Sequence, residues 1–480
     1  MYSKFGQFID GQWQQSEKQE TYDVINPATE EIIGQASKAS SVDVDKALKS
    51  AEKGFEIWKN TKAWQRAETL RKIANLIRDK KDDLAKWITL EVGKPLADSL
   101  GEIGATADIF EWNSEETKRI YGQIVESRFD NTRVQINYQP VGVVAALVPW
   151  NFPLMLAARK ISTAMAAGCS VICKPDVITP GSVMALMDII NDAGTPAGVA
   201  NLLSGDPAEI ASQLIASDIT KKVSITGSTR VGKIVLKQAA EKVHRVTMEL
   251  GGHAPFIVFD DANLEKATDM AMASKYRNNG QVCISPSRFY IHESKKDSFA
   301  KMFVEKTSKL KIGNGLEKTT DLGPITTRKR LEEIEDLVED TKVSGASVLC
   351  GGKRPAGFNK GYFFEPTIFD DIKDDFKIMT VEPFGPLSPI TTFKSFDEVI
   401  ERANNHDVGL ASYVCTASMK TAQRSSELLQ TGMVAVNTPF LSTAETPFGG
   451  IKQSGYGREG GSIGIKDYLN VKYTHLGLSG

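Results

Sequence analysis

Val141-Gly142-Val143-Val144-Ala145-Ala146-Leu147-Val148 opens the most regular part of the sequence. This nearly all-apolar run predicts a strand that is buried on both faces, as in a parallel sheet. The alternation continues with predicted helices over 154–167, 180–193, 207–216 and 229–240 and with strands over 170–173, 199–203, 222–226 and 245–250. Repeated βα units predict an open α/β sheet with right-handed crossovers, which binds ligands beyond the carboxyl ends of its strands.

The segments on both sides of this series predict further structure. They contain a predicted hairpin over 8–13, helices over 44–58 and 67–77, an antiparallel strand pair over 123–138 and a last strand over 468–474. After Gly251-Gly252 the alternation restarts, with a strand at 256–259 and a helix from about residue 264. We therefore expect a second α/β unit that runs to about residue 436.

The composition is that of an ordinary globular protein. Of the 480 residues, 41% are hydrophobic and 25% are charged, so we expect two or three units. The net charge of −2 argues against nucleic acid or an anionic membrane as a partner, because both favour basic patches. The sequence shows no secretory signal, and its longest apolar stretch is roughly half of a membrane-spanning helix. We expect a cytoplasmic protein.

Cysteine and histidine usage predicts neither disulfides nor a metal site. The cysteines form an odd, scattered set: Cys169, Cys173, Cys283, Cys350 and Cys415. Such a set fits a reducing compartment. No pair of C-x-x-C motifs is present, and the five histidines lack metal-ligand spacing.

Three residues have the side chains that attack of a thiol on a carbonyl group requires. A lone cysteine such as Cys283 is more often inert packing than a nucleophile. Asn151 stands between aromatic residues, where its amide suits an oxyanion donor or a helix cap. Glu249 ends an apolar strand, where burial can tune a carboxylate as a general base. A thiol, an oxyanion donor and a base for water together favour a covalent mechanism that releases an acid.

Several predicted strand ends carry residues suited to a nucleotide. In Thr226-Gly227-Ser228 the glycine would let a pyrophosphate approach the helix N-terminus, although a plain βα turn has equal weight because the motif is not G-x-G-x-x-G. Lys174 suits a ribose or phosphate, with a solvated loop lysine as the alternative, and Gly205 follows another strand. Glu382-Pro383-Phe384 confines a carboxylate and an aromatic ring in a stiff loop.

Together these pieces resemble the aldehyde dehydrogenase superfamily over nearly the whole chain. The motifs that carry the resemblance are Pro149-Trp150-Asn151-Phe152-Pro153, Lys174-Pro175, Thr226-Gly227-Ser228, Met248-Glu249-Leu250-Gly251-Gly252, Gly280-Gln281-Val282-Cys283, Glu382-Pro383-Phe384-Gly385-Pro386, Pro447-Phe448-Gly449-Gly450 and Ser454-Gly455. The resemblance implies an α/β fold with a Rossmann-like cofactor domain, an α/β catalytic domain and a small β oligomerisation extension. The expected ranges are 1–122 and 141–250 for the cofactor domain, 251–436 for the catalytic domain, and 123–140 and 437–480 for the bridging segments.

The resemblance also implies a mechanism. Cys283 would attack the aldehyde, Asn151 and a backbone N–H would hold the oxyanion, and Glu249 would activate the water that releases the acid. Relatives that pass the acyl group to coenzyme A generally lack this base, so we expect hydrolysis. A shared sheet built from the strand pair and the tail would make the protein a homodimer or a homotetramer.

The implied cofactor is NAD or NADP. Its expected contacts are Trp150, Lys174, Val177, Gly205, Gly227, Ser228, Leu250, Glu382 and Phe384. Many NAD-dependent members carry a glutamate at the position of Val177, where it binds the ribose hydroxyls. Its absence removes a partner for the 2′-hydroxyl and a repulsion against a 2′-phosphate, so both cofactors are open.

Within the superfamily the chain is most similar to succinate-semialdehyde dehydrogenases. In that family, residues matching Arg159, Arg277 and Ser442 bind the carboxylate of the substrate, and a planar guanidinium suits that task. The alternative for each arginine is a position on the surface or in a salt bridge. The segment 281–288 is also similar to dehydrogenases of 2-oxoglutarate semialdehyde, which is the nearest alternative substrate. Ser285 replaces the second cysteine of a redox switch found in some bacterial relatives, so no such switch is expected.

Two alternatives of other functional classes are a non-catalytic protein on the same fold and a cysteine hydrolase. A structural or binding protein on the same fold would be expected to lose Cys283, Glu249 or Asn151, and all three are present. A cysteine hydrolase would need a histidine near the cysteine motif, and the sequence there has none.

Overall fold

Two open α/β sheets and one small antiparallel sheet organise the chain. The structure is a computed structural model and describes Tyr2 and residues 4–478. The strands are β1 (Gln7–Ile9), β2 (Gln12–Gln14), β3 (Thr21–Ile25), β4 (Ile32–Ser37), β5 (Gln123–Val125), β6 (Thr132–Pro140), β7 (Val143–Leu147), β8 (Ser170–Lys174), β9 (Ala200–Leu202), β10 (Thr220–Thr226), β11 (Arg245–Glu249), β12 (Ala254–Val258), β13 (Pro286–His292), β14 (Ser347–Cys350), β15 (Thr367–Asp370), β16 (Leu387–Phe393), β17 (Val408–Gly409), β18 (Ala411–Cys415), β19 (Met433–Val436), β20 (Ile451–Lys452), β21 (Gly455–Tyr456) and β22 (Leu469–Gly477). The helices are α1 (Ser41–Asn60), α2 (Ala63–Asp79), α3 (Lys81–Val92), α4 (Leu96–Thr117), α5 (Pro153–Ala167), α6 (Gly181–Asp192), α7 (Pro207–Ala216), α8 (Thr229–Ala240), α9 (Leu264–Lys275), α10 (Lys296–Thr307), α11 (Arg328–Val343), α12 (Phe396–Asn404), α13 (Met419–Leu428) and α14 (Gly461–Gly464).

The first sheet has the strand order β2-β1-β9-β8-β7-β10-β11-β21. Its five inner strands are parallel, and every residue of β7 and β8 is buried, which confirms the predicted two-sided burial. From β7 the chain runs through α5 and α6 to β9, and it then returns to the other side of β7 as β10. A crevice for a ligand is expected beside β7, where the strand order reverses.

The second sheet has the order β14-β15-β16-β13-β12-β18-β19, and only β14 is antiparallel. The Cys283 loop leads into β13, and the loop with Glu382 and Phe384 leads into β16. These loops therefore stand at the amino ends of parallel strands, whereas Asn151 and Glu249 stand at the carboxyl ends of strands in the first sheet. The catalytic candidates come from opposite ends of the two sheets.

The third sheet joins β5 and β6 to β22, so that residues 132–140 pair with residues 469–477. The strand pair and the tail therefore lie in one sheet, and the expectation that subunits share this sheet stays a prediction. The predicted domain boundaries stay a prediction, and one tail strand, β21, joins the first sheet instead. In the described part of the chain, no helix is long and apolar enough to cross a membrane.

Two long helices, α3 and α4, were not predicted. The inner face of α4 carries the buried polar side chains of Ser99, Glu102, Thr106 and Asn113, which interrupt the apolar period that would identify it. The predicted helices over 44–58 and 67–77 are confirmed and are longer at both ends.

Candidate active site

A cavity of about 400 Å³ lies between the carboxyl edge of the first sheet and the loops that enter the second sheet. Ten residues predicted from the sequence line it: Trp150, Asn151, Lys174, Gly227, Ser228, Glu249, Leu250, Cys283, Glu382 and Phe384. A smaller cavity of about 20 Å³ is lined by Asn151, Arg159, Arg277, Cys283 and Ser442, together with apolar side chains. Cys283 and Asn151 border both spaces, so they stand where the two cavities meet.

The Cys283 thiol is enclosed by apolar neighbours, with Val282 and Ile284 both buried. Burial raises the pKa of this thiol to about 12, and the carboxylates of Glu382 and Glu249 add to the rise. The backbone N–H groups of Cys283 and Ile284 point to the sulfur and act in the opposite direction on the pKa. The same backbone groups suit an oxyanion on an atom bound to that sulfur.

The Asn151 side chain is held by the cysteine loop. Its Nδ2 donates to the carbonyl of Gln281 at 3.1 Å, and its own backbone carbonyl accepts from Lys94 Nζ at 2.8 Å and Asn278 Nδ2 at 3.1 Å. These bonds fix both the backbone and the rotamer of Asn151. The second Nδ2 hydrogen has no partner in these bonds, as an oxyanion donor requires.

The Glu249 carboxyl is buried, with 2% of its surface exposed, and neither oxygen has a hydrogen-bond partner among the described residues. Burial, followed by the charge of Glu459, raises its pKa well above the ordinary 4.5, although Lys160 and Arg159 oppose the rise. Gly449 makes room for the carboxyl, because a Cβ there would lie 2.8 Å from Glu249 Oε1. A carboxyl in this state takes up a proton more readily than an ordinary glutamate, as a general base requires.

The Arg159 guanidinium is almost fully buried, with 1% of the residue exposed. Its Nη2 donates to Ser442 Oγ at 3.0 Å and to the Thr443 carbonyl at 3.4 Å, whereas Nε and Nη1 have no partner among the described residues. Burial lowers the pKa of Arg159, and Glu459 and Glu249 oppose that change. An unpartnered buried donor is costly, so this geometry favours an anionic ligand.

Arg277 faces the same small cavity from the cysteine loop. Its guanidinium lies 4.7 Å from the centre of the Phe152 ring, a cation–π contact that orients the arginine. The structure therefore brings together the three residues predicted to bind a carboxylate, Arg159, Arg277 and Ser442.

The larger cavity fits a dinucleotide. A Cβ on Gly227 would meet nothing closer than the Ile225 side chain at 4.0 Å, so the chain leaves a cradle at the N-terminus of α8. Ser228 caps that helix by accepting the Val231 N–H. The positive end of a helix and an open backbone suit a pyrophosphate. On the other side, Trp150 and Phe384 meet edge to face with centroids 5.5 Å apart, and Glu382 accepts the Gly252 N–H.

Two predicted cofactor contacts, Val177 and Gly205, do not line this cavity. Gly205 has φ +143°, and a Cβ there would lie 2.9 Å from the Ala39 backbone nitrogen. Gly205 therefore packs closely against the 38–39 segment, and its contact with a cofactor stays a prediction. At the position beside Val177, the Asp176 side chain lines the cavity instead.

Several charged residues that shape the site were not predicted from the sequence. Asp176 and Arg330 line the larger cavity. Behind Glu249, the buried Lys160 donates to Glu459 and to Thr226 Oγ1. The signal that was overlooked is the presence of charged residues inside otherwise apolar segments, since buried charges occur only with a partner or a function. Within the described residues, no group of three histidine, cysteine or acidic side chains is arranged to hold a metal ion.

The chain is similar to known proteins over nearly its whole length. The sequence profile of the aldehyde dehydrogenase family matches residues 13–474. A glutarate-semialdehyde dehydrogenase of Pseudomonas putida is 42% identical over 471 residues, which cover 98% of this chain and 97% of the relative. The NADP(+) succinate-semialdehyde dehydrogenase GabD of Escherichia coli is 41% identical, with 98% and 97% covered. The crystal structure of a succinate-semialdehyde dehydrogenase from Burkholderia pseudomallei is similar at a TM-score of 0.97, with 41% identity and 98% of both chains covered.

Proposed function

Because the chain belongs to the aldehyde dehydrogenase family and is an NAD(P)-dependent enzyme, we propose that it oxidises succinate semialdehyde to succinate through a covalent intermediate on Cys283. The observation that carries the substrate assignment is Arg159, which is buried, lines the small cavity together with Cys283, and has Nε–H and Nη1–H groups without a partner among the described residues. A carboxylate at one end of the substrate would bind these groups and hold the aldehyde at the thiol. A guanidinium binds a carboxylate through charge-assisted hydrogen bonds, which are stronger than neutral ones.

The first chemical step is attack of the Cys283 sulfur on the aldehyde carbon: the thiol gives its proton to water, a C–S bond forms, and the π electrons of the carbonyl move to its oxygen. The Asn151 amide and the backbone N–H of Cys283 stabilise this oxyanion in a site that excludes bulk water. A bound nicotinamide cofactor supplies the acceptor for the hydride that leaves the same carbon. Lys174, Gly227, Ser228 and the Glu382–Phe384 loop would hold that cofactor.

The product of hydride loss is a thioester on Cys283, which water must hydrolyse. Glu249 takes a proton from the attacking water, the C–S bond breaks, and the proton returns to the sulfur as the acid leaves. A carboxyl that is buried, raised in pKa and free of hydrogen-bond partners supports this role, since it costs little to protonate. Because Glu249 is present, hydrolysis is proposed rather than transfer to another thiol.

Glutarate semialdehyde is the second candidate substrate, since one of the most similar relatives is named for it. It carries the same terminal carboxylate on a chain one carbon longer. Comparison of kcat/KM on succinate, glutarate and 2-oxoglutarate semialdehydes orders these candidates, and a preference for either longer substrate would overturn the succinate assignment.

Replacing Arg159 with methionine tests the carboxylate site. We expect kcat/KM on succinate semialdehyde to fall about 10²-fold or more, because charge-assisted hydrogen bonds contribute about 1.5–3 kcal/mol each. On butanal, which has no carboxylate, the change should stay within about threefold. The measurement is the ratio of kcat/KM on the two aldehydes. Arg402→Met is the control and should leave this ratio unchanged. Arg402 lies on α12, where it forms an ion pair with Asp374. Equal losses of kcat/KM on both aldehydes would contradict the carboxylate site. So would a wild-type enzyme that is as efficient on butanal as on succinate semialdehyde.

We also propose that the protein is a homo-oligomer that uses the third sheet. This sheet exposes large apolar side chains, with Ile124 70%, Val471 66% and Tyr473 70% exposed, and apolar patches on an exposed sheet edge favour a partner. Light scattering should give the mass of a dimer or a tetramer, and Val471→Glu with Tyr473→Glu should shift it towards smaller species. A monomeric wild type would contradict the proposal.

A further inference from the structure

The first turns of α4 touch both loops that carry the chemistry. Lys94 lies just before the helix, and Asp98 and Glu102 follow at a spacing of four residues, which places both carboxylates on one face. We name these three residues the α4 clamp. Lys94 and Glu102 form an ion pair at 2.6 Å with no exposed side-chain surface.

One half of the clamp holds the Asn151 loop. Lys94 Nζ donates to the Asn151 carbonyl at 2.8 Å. Glu102 Oε1 accepts the N–H groups of Leu154 and Met155, at 2.9 and 3.1 Å, in the first turn of α5. That turn has no cap from its own N-terminal residue, Phe152, so Glu102 provides the acceptor from another helix.

The other half holds the cysteine loop. Asp98 Oδ2 accepts the Asn278 N–H at 2.8 Å, and Asn278 Nδ2 donates to the carbonyls of Asn151 and Gln281 at 3.1 and 3.2 Å. Asn278 and Asn279 have φ of 48° and 54°, a left-handed conformation that is strained for residues other than glycine. Such strain persists only where surrounding bonds over-determine the backbone, and it is concentrated at functional sites.

We infer that Lys94, Asp98 and Glu102 are positioning residues that set the distance and angle between the Asn151 amide and Cys283. The carbonyl of Gln281 accepts from both Asn151 and Asn278, so the two loops share one network with the clamp. Phe152 extends it to the substrate side, because its ring contacts Lys94 Nζ at 3.9 Å and the Arg277 guanidinium at 4.7 Å. Nothing else in the proposed mechanism requires a buried ion pair at this place.

This inference rests on the proposed role of Asn151, and its test separates the two. We expect Lys94→Met to slow the burst of hydride transfer about 10- to 100-fold, because an oxyanion donor is worth about 10²–10³-fold and a displacement of about 1 Å loses much of that. The Kd for the cofactor should stay within about threefold, since none of the three clamp residues lines the larger cavity. In an Asn151→Ala background, Lys94→Met should cost less than about threefold more, because it acts through Asn151.

Two further variants keep the test decisive if removal of the buried lysine prevents folding. Asp98→Ala removes the acceptor of Asn278 at a partly exposed site, and should slow the burst in the same non-additive way. Asp108→Ala, on the exposed face of α4 in an ion pair with Arg78, is the matched control and should leave the burst unchanged. Losses of burst rate that add independently to that of Asn151→Ala would overturn the positioning role of the clamp. Normal bursts in folded Lys94→Met and Asp98→Ala would do the same, and both results would leave the proposed function standing. A normal burst in Asn151→Ala would instead overturn the proposed oxyanion site, and the clamp with it.

Discussion

Replacing Cys283 with alanine is expected to reduce NAD(P)-dependent oxidation of succinate semialdehyde by at least about 10⁴-fold, since loss of a nucleophile removes the covalent route altogether. The remaining oxyanion donors have no sulfur-bound intermediate to stabilise. Cofactor binding should persist, because most of the lining of the larger cavity comes from other residues. The measurements are the absorbance of the reduced nicotinamide and cofactor binding by fluorescence.

Cys350→Ala is the matched control for this prediction. Cys350 is half-buried like Cys283, but it lies in β14 at the far edge of the second sheet, and its loss should leave the rate unchanged. Cys169, Cys173 and Cys415 are buried, and none of them lines either cavity. Full activity of Cys283→Ala would therefore leave the structure without a thiol placed for the reaction.

Replacing Glu249 with glutamine is expected to preserve the hydride burst and to reduce steady-state turnover about 10²- to 10⁴-fold, the range for loss of a general base. The burst should survive because the Glu249 charge is one of those that raise the pKa of the Cys283 thiol. Its removal shifts that pKa down and favours the thiolate. Hydrolysis of the thioester, which needs the base, becomes the slow step.

The pH dependence gives this prediction a second readout. Burial and Glu459 raise the pKa of Glu249, and only the ionised carboxylate accepts a proton from water. Wild-type turnover under conditions where hydrolysis is limiting should therefore rise with pH through a pKa well above 4.5. The rise should be absent in Glu249→Gln and present in Glu427→Gln, an exposed glutamate on α13. Equal steady-state rates in the wild type and Glu249→Gln would contradict the assignment.

The fold was predictable wherever side-chain patterns are local. The apolar run at 141–148 and the βα units after it follow from burial on both faces of a parallel sheet, and the structure has them within one or two residues. That residues 132–140 and 469–477 lie in one sheet was expected only from the family resemblance, because strand partners distant in sequence leave no local signal.

The candidate site was predictable as a set of residue types, and its supporting residues were not. Cys283, Asn151 and Glu249 stand in recognisable motifs, and the structure brings them to one cavity. Glu102 belongs to a helix whose buried polar face hides its period, and Lys94 lies just before that helix, so neither the helix nor the ion pair could be predicted from the sequence. Polar contacts between distant segments depend on the packed fold and cannot be read from spacing.

The central claim is that the substrate carbon is bonded to the Cys283 sulfur while the hydride leaves. The most direct measurement mixes Glu249→Gln with cofactor and succinate semialdehyde, quenches the reaction in acid after the burst, and maps the protein by mass spectrometry. We predict one added succinyl group per chain, on the peptide that contains Cys283, and none when the cofactor is omitted. An unmodified Cys283 peptide after a full burst, or a succinyl group on another cysteine, would contradict the account.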